Sequence, residues 1–388
     1  MAQGTIQGSP VVAAQLANSL GLGGTERQLV EHLRQMEARY SPRLMCLSKV
    51  GAFIADARTL SLEPEEFPLR GRLLQPNTAL QIMQMARRLR EERAQLLHCH
   101  DFYSNLVGSA AARLAGIPYI VSRRDLGLNR SATRRRLLTL ATRLAPHVLC
   151  NAAAVRDLVI EQEGVAANRV TVVFNGLDID RFDREAAPEP SPNLPGGEGT
   201  APTIVLVGNM QLAIKGHAEF LLAAAAVARA QPAVRFLLVG DGVLRPDLER
   251  RAQEMGIGDR ATFVGWRTDV PSLLARCTIA VSASHTEGLS NAIMEAMAAR
   301  LPVVATGVGG NAELVQDGRT GFIVRSRDPN HMAARLVELL EAPQRAREMG
   351  LAGRRRLEAG FAASLLGTRM AALYDGILQL RPQVRRAA

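Results

Sequence analysis

With 388 residues, 47% of them hydrophobic, and a mean hydropathy of +0.01, the chain can bury more than one core and is expected to form two domains; intrinsic disorder is excluded as its theme. The formal charge of +10 is spread evenly, with 24 basic and 19 acidic side chains in residues 1–190 and 23 and 18 in residues 191–388, and aromatic content is only 4%, so no nucleic-acid stacking surface is expected. No apolar run approaches the ~18 residues of a membrane helix, and the opening residues lack the basic and apolar regions of a secretory signal, so the expected location is cytoplasmic.

The first apolar segment, "VVAAQLA", runs into a glycine-rich turn at residues 21–24 and then a helix expected from Thr25, with Thr25 or Gly24 as its cap. Further strands are expected at residues 43–48, 96–100, 119–122, 147–150 and 170–174, with helical periodicity between most of them. Alternation of this kind argues for an α/β fold built on a doubly wound parallel sheet. The cysteines Cys46, Cys99, Cys150 and Cys277 sit singly in such apolar runs and are read as buried thiols rather than zinc or redox motifs. Between Arg123 and Arg143 seven arginines meet one acid, Asp125, beside the leucines of "RRRLLTLATRLA". That is the pattern of an amphipathic helix able to rest on an anionic membrane surface.

Residues 183–202 are dense in Pro, Gly and Glu and read as a linker. After it the alternation restarts: "TIVLVGN", "VRFLLVGDG", "RATFVGW", "CTIAVSAS", "LPVVATGVGG" and "TGFIV" mark six strand ends, and residues 343–380 are predominantly helical. Glu287 falls in the loop after the fourth of these strands, and Glu295, eight positions on, about one turn into a helix with Ser290 or Asn291 as its cap. Gly309 and Gly310 open a second, short helix at Asn311. Two helix N-termini thus face the carboxyl edge of a parallel sheet, where ligands collect and phosphate is attracted. Carboxylates on either side of a phosphate would accept hydrogen bonds from hydroxyls, and a sugar nucleotide has that layout. Lys215, one of only two lysines against 45 arginines, stands just before a helix expected near His217, where it can neutralise a phosphate. In the first half His98 and His100 lie at a strand end; two residues apart, they are expected to share a face, and His100 is the nearer of the two to the loop.

At this point the chain resembles the retaining glycosyltransferases of family 4, which have the GT-B fold: two Rossmann-like doubly wound domains facing a central cleft, with a C-terminal helix crossing back to the first. The resemblance covers nearly the whole chain through "GLGGTERQL", "FNGLDIDRF", "LVGNMQLAIKGH", "LLVGDG", "FVGW", "SASHTEGLSNAIMEAMA", "LPVVATGVGGNAELV" and "TGFIV", and its Glu-x7-Glu element is quite specific in this setting. It implies an acceptor-side domain at residues 1–190, a linker at 183–202, a donor domain at 203–364 and a returning helix at 365–388. It implies that Glu287 bonds the sugar hydroxyls of the donor, Glu295 the ribose and Lys215 the diphosphate. Gly288, Leu289, Ser290 and Asn291 would contact sugar and phosphate through their backbone, Gly23 and Gly24 would let the first domain approach the donor phosphate, and Glu26 would order the helix start. No cofactor and no metal are implied: the co-substrate is a nucleoside diphosphate sugar, with UDP favoured and GDP-mannose next, and the acceptor a glycan or lipid-linked hydroxyl. Asp178 to Asp180, "DID", is expected to be structural rather than a metal site.

Two positions depart from the family pattern. Asn209 stands where an arginine is frequent, leaving Lys215 and helix dipoles to balance the diphosphate. Where many members carry a histidine near the transferred sugar, this chain reads "IVSRRDLG", so Arg123, Arg124 or Asp125 takes that place, with His100 as a further candidate on the same edge. Other readings are a dinucleotide-dependent oxidoreductase, weakened because Glu26 occupies the third glycine position of the dinucleotide fingerprint, a nucleotide-sugar epimerase of the same fold, and a non-enzymatic basic nucleic-acid or membrane-surface binding module.

Overall fold

The computed structural model describes residues 9–69, 75–127, 131–186 and 201–379 and divides into two compact units, Met1–Gly176 with Ala363–Ala388, and Leu177–Ala362. Most of the Pro- and Gly-rich segment, residues 187–200, lies outside the described residues, as does Arg130.

The first unit carries β1 (Val11–Ala17), β2 (Tyr40–Cys46), β3 (Glu65–Glu66), β4 (Leu96–Cys99), β5 (Tyr119–Arg123), β6 (His147–Cys150) and β7 (Val170–Val172) in the order β3-β2-β1-β4-β5-β6-β7. Every neighbouring pair is parallel. Parallel strands need crossover connections and cover on both faces, which is why β1, β4 and β5 read as near-continuous apolar runs. The last helix, Ala363–Leu378, belongs to this unit: Leu366, Met370, Ala371 and Tyr374 pack with Ala13, Leu96, Ile120 and Leu149 of the sheet. Chain order along the sheet reverses between β1 and β4, so the loops leaving these two strands diverge and leave room at the carboxyl edge.

The second unit repeats the plan with β8 (Thr203–Val207), β9 (Arg235–Val239), β10 (Ala261–Phe263), β11 (Ile279–Ser282), β12 (Val303–Thr306) and β13 (Gly321–Val324), ordered β10-β9-β8-β11-β12-β13 and again wholly parallel. Its reversal lies between β8 and β11. The helix Ile179–Ala186 also belongs here, held by a two-pronged bond from the buried Arg354 to Asp183, at 2.7 Å to each carboxylate oxygen. Asp178 accepts from the Arg181 N–H at the start of that helix, a structural role.

Several boundaries differ from the sequence reading. The strand β2 begins at Tyr40 rather than residue 43. Pro42 is tolerated inside the strand because β3 pairs only with Met45 and Cys46, so that side of β2 is an edge at Pro42. The helix expected from Thr25 spans Gly24–Arg34, and its cap is Gly23 rather than Gly24 or Thr25. Cys46, Cys99 and Cys150 are buried thiols, whereas Cys277 is half-buried.

Candidate functional site

In the second unit the loops at the carboxyl ends of the strands are knitted together by their backbones. The His285 N–H donates to the Ile214 carbonyl at 2.7 Å, and Gly310 N–H to the Gly288 carbonyl at 2.6 Å. Two glycines make this possible. Gly216 has φ +67° and would place a Cβ 2.0 Å from the Ala283 carbonyl oxygen, and Gly309, at φ +51°, would do the same to the Glu287 carbonyl. Neither position accepts a side chain.

These contacts bring Lys215 and Glu287 together from 72 residues apart, with Nζ 2.6 Å from Oε1. Lys215 ends a short 3₁₀ turn, and Gly216 caps the helix His217–Ala230. The same Glu287 oxygen accepts from the Ser284 hydroxyl at 2.7 Å. Glu287 is thus held by one cation and one hydroxyl, with its second oxygen directed by that clamp. Beyond it, Gly288 and Leu289 are buried, and Ser290 caps the helix Asn291–Ala298 by accepting from the Ile293 N–H. Glu295 lies inside that helix, 3% exposed. Asn209 is exposed in the loop after β8, between Gly208 and Met210, whose N–H groups are tied to Val239 and Asp241.

In the first unit a polar cluster is built under the carboxyl edge of β1, β4 and β5. His98 and His100 do share a face, and their rings stack with centroids 4.0 Å apart. His98 is bonded to Tyr374 through Nδ1 at 2.8 Å and to Ser122 through Nε2 at 2.7 Å. Nε2 of His100 faces the Gln15 amide oxygen at 2.9 Å and therefore carries the proton, so Nδ1 accepts from Arg124 Nη2 at 3.3 Å. His100, the nearer of the two to the loop, is 1% exposed with both nitrogens engaged in bonds to Gln15 and Arg124. Burial holds His98 and His100 well below the usual histidine range and His32 down to about 3.

The three candidates after β5 are separated by the alternation of the chain. Arg123 is buried and ion-paired with Glu163, with Thr142 alongside, so it is a structural residue and not part of the open edge. Arg124 points the other way, to His100 and to Asn175 Oδ1 at 3.4 Å. Asp125 accepts from the Gly127 N–H at 2.8 Å and closes its own turn. At the start of the helix Gly24–Arg34, the Glu26 carboxylate folds over Gly23, where a Cβ would meet Oε2 at 2.1 Å. Burial pushes its pKa up.

Two family models match this chain: Glycosyltransferase Family 4 over residues 22–181 and Glycosyl transferases group 1 over residues 201–342. Alpha-maltose-1-phosphate synthase of Mycolicibacterium smegmatis is 31% identical over 295 residues, 68% of this chain and 74% of that one. The chain belongs to glycosyltransferase family 4. A further relative in Escherichia coli, UDP-Gal:alpha-D-GlcNAc-diphosphoundecaprenol alpha-1,3-galactosyltransferase, is 26% identical over 272 residues, 65% of this chain and 68% of that one. Across such relatives this family 4 chain spans about two thirds of their length. The structure of Anabaena Alr3699/HepE in complex with UDP-glucose matches with a TM-score of 0.82 over 94% of this chain and 99% of that chain at 22% identity, a likeness of fold.

Three participants were not legible in this family 4 sequence. Ser284 clamps Glu287 from three residues upstream, and its place at a strand exit was the available signal. Gln15 orients His100 from inside "VVAAQLA", where an amide in an apolar strand marks a buried polar contact. Asn175, in "FNG", has no local signal for its bond to Arg124.

Proposed function

We propose that this chain is a retaining, metal-independent glycosyltransferase that moves a hexose-type sugar from a nucleoside diphosphate donor, UDP-sugar before GDP-mannose, to a hydroxyl of a glycan or lipid-linked acceptor in envelope polysaccharide or glycolipid synthesis. The observation that carries this reading is the Lys215–Glu287–Ser284 cluster at the carboxyl ends of β8 and β11. In the reaction the bond from the donor C1 to the diphosphate oxygen breaks, the acceptor oxygen bonds to C1 on the same face, and its proton passes to the departing phosphate oxygen. Lys215 turns from the carboxylate to the diphosphate, and Glu287, oriented by Ser284, accepts from the sugar hydroxyls. Glu295 serves the ribose. Catalysis is then positioning and charge stabilisation. Incubation with a panel of UDP- and GDP-sugars, in buffer with chelator, followed by NMR of the anomeric centre, tests it. Turnover of one donor with retained configuration is expected; an inverted product, or no turnover until a divalent ion is added, overturns it.

The helix Ala132–Leu144 supports a proposal of peripheral attachment on the cytoplasmic side of an anionic membrane. Leu138, Ala141 and Thr142 face inward, while Leu137, Leu140 and Leu144 are 38%, 53% and 50% exposed beside exposed Arg134, Arg135, Arg136 and Arg143. An apolar stripe flanked by cations alone is complementary to acidic lipid. No helix among the described residues is long and apolar enough to cross a membrane.

A further inference from the structure

Among the described residues, no carboxylate is bonded to the positive charge of Arg124. Its Nη1 and Nη2 donate to neutral acceptors, Asn175 and His100, and its Nε is buried with no hydrogen-bond partner. The carboxylates of Glu26 and Asp101 act on it through their field and not through a bond, and burial pulls its pKa down to about 10. Arg123 and Arg354, by contrast, are buried with carboxylates in contact. Both acids near Arg124 are otherwise occupied. Asp101 accepts from the N–H groups of Asn18, Tyr103 and Ser104, and Glu26 turns back to its own backbone with its pKa raised, the reverse of a carboxylate in an ion pair. The surrounding rings of His32, His98 and His100 stay neutral.

Arg124 is only half-buried as a whole, but its Nε is shut off from water, and a cation so placed without a bonded carboxylate is costly to keep. Here it is not merely tolerated but aimed, since Gln15 fixes the His100 tautomer that receives Arg124. The nearby helix Gly24–Arg34 begins at Gly23 with no side-chain cap. We infer that Arg124 is half of an ion pair whose other half is a phosphate oxyanion of a bound ligand, received at the carboxyl edge of β1, β4 and β5. The planar guanidinium fork suits phosphate oxygens. The phosphate is carried either by the donor or by a phosphorylated acceptor; only that choice of carrier rests on the transferase reading, while the unpaired cation does not.

The test uses the full-length chain, Arg124→Gln and Arg124→Lys, titrated calorimetrically with UDP, inorganic diphosphate and farnesyl diphosphate, alongside thermal melting. Arg124→Gln should weaken at least one of the three about tenfold or more, with the melting temperature at or above that of the parent, and Arg124→Lys should recover part of the loss. A loss confined to UDP assigns the anion to the donor; one confined to farnesyl diphosphate assigns it to the acceptor. Unchanged affinity of Arg124→Gln for all three overturns the inference and leaves the transferase reading standing if UDP binds. Binding of inorganic diphosphate through Arg124, without nucleotide binding, keeps the inference and sinks that reading. A parent that binds none of the three overturns both.

Discussion

The Lys215–Glu287 pair can be weighed by removing each partner alone and then both. At 2.6 Å and an effective permittivity of about 20, the gross attraction of two unit charges is about 6 kcal/mol. The side chains are only 26% and 12% exposed, so both ends have given up water and much of the attraction is offset. A net coupling of about 1.5–3 kcal/mol remains, typical of a hydrogen bond between charged groups. Urea unfolding of Lys215→Ala, Glu287→Ala and the double variant should therefore depart from additivity by that amount. Each single change strands a partly buried charge, so the double variant should be more stable than the sum of the two losses implies. Repeating the cycle with saturating UDP should shrink the coupling, because the ammonium then serves the diphosphate. A coupling below about 0.5 kcal/mol without ligand refutes the claim that these charges are joined, and a coupling that UDP leaves unchanged refutes the exchange.

Three other outcomes are expected. Tyr374→Phe keeps the ring but leaves Gln15, His32 and His98 without their shared hydroxyl, so urea unfolding should show a loss of about 2–4 kcal/mol; a loss under about 0.5 kcal/mol contradicts the network. Because His32, His98 and His100 have folded pKa values below the ordinary 6.5, the unfolded chain binds protons that the folded chain refuses. Stability is then fully present above pH 6.5 and falls as pH drops, by about 1.4 kcal/mol per pH unit for each histidine; equal stability by urea titration at pH 7 and at pH 5 denies this. Sedimentation with anionic vesicles at low salt should retain the protein, release it as salt rises, and fail for the variant with Arg134, Arg135 and Arg136 changed to Gln; no retention of the parent ends the membrane proposal.

How far the sequence could be read depended on whether a contact was local. The strands β1 and β6 have the bounds read from their apolar runs, because a buried parallel strand has to be apolar along its length. The two-residue β3, Glu65–Glu66, left no such trace. Period-two reasoning put His98 and His100 on one face, and they stack. That this face is sealed was beyond local reading, since its lid is Tyr374, which is 276 residues from His98. Arg123 and Arg124 were interchangeable in sequence because one residue of strand decides which points inward. The clamp on Glu287 by Lys215 depends on Gly216 lying against Ala283, a contact that no single stretch of sequence contains.

The placement of the helix Ala363–Leu378 in the first unit has a consequence for how the molecule is made. Most of the first unit is synthesised before the second, yet the polar cluster around His98 and the sheet face under Met370 wait for a helix encoded after the second. At ~5–20 residues per second, the roughly 200 residues in between take about 10–40 s to synthesise. Leu177–Ala362, one uninterrupted stretch, has every residue it needs before the first unit does. The unit completed by the later stretch is therefore free to finish folding first, and the first unit must spend that interval with apolar strands and the residues around His98 uncovered, the period in which a chaperone would have most to hold.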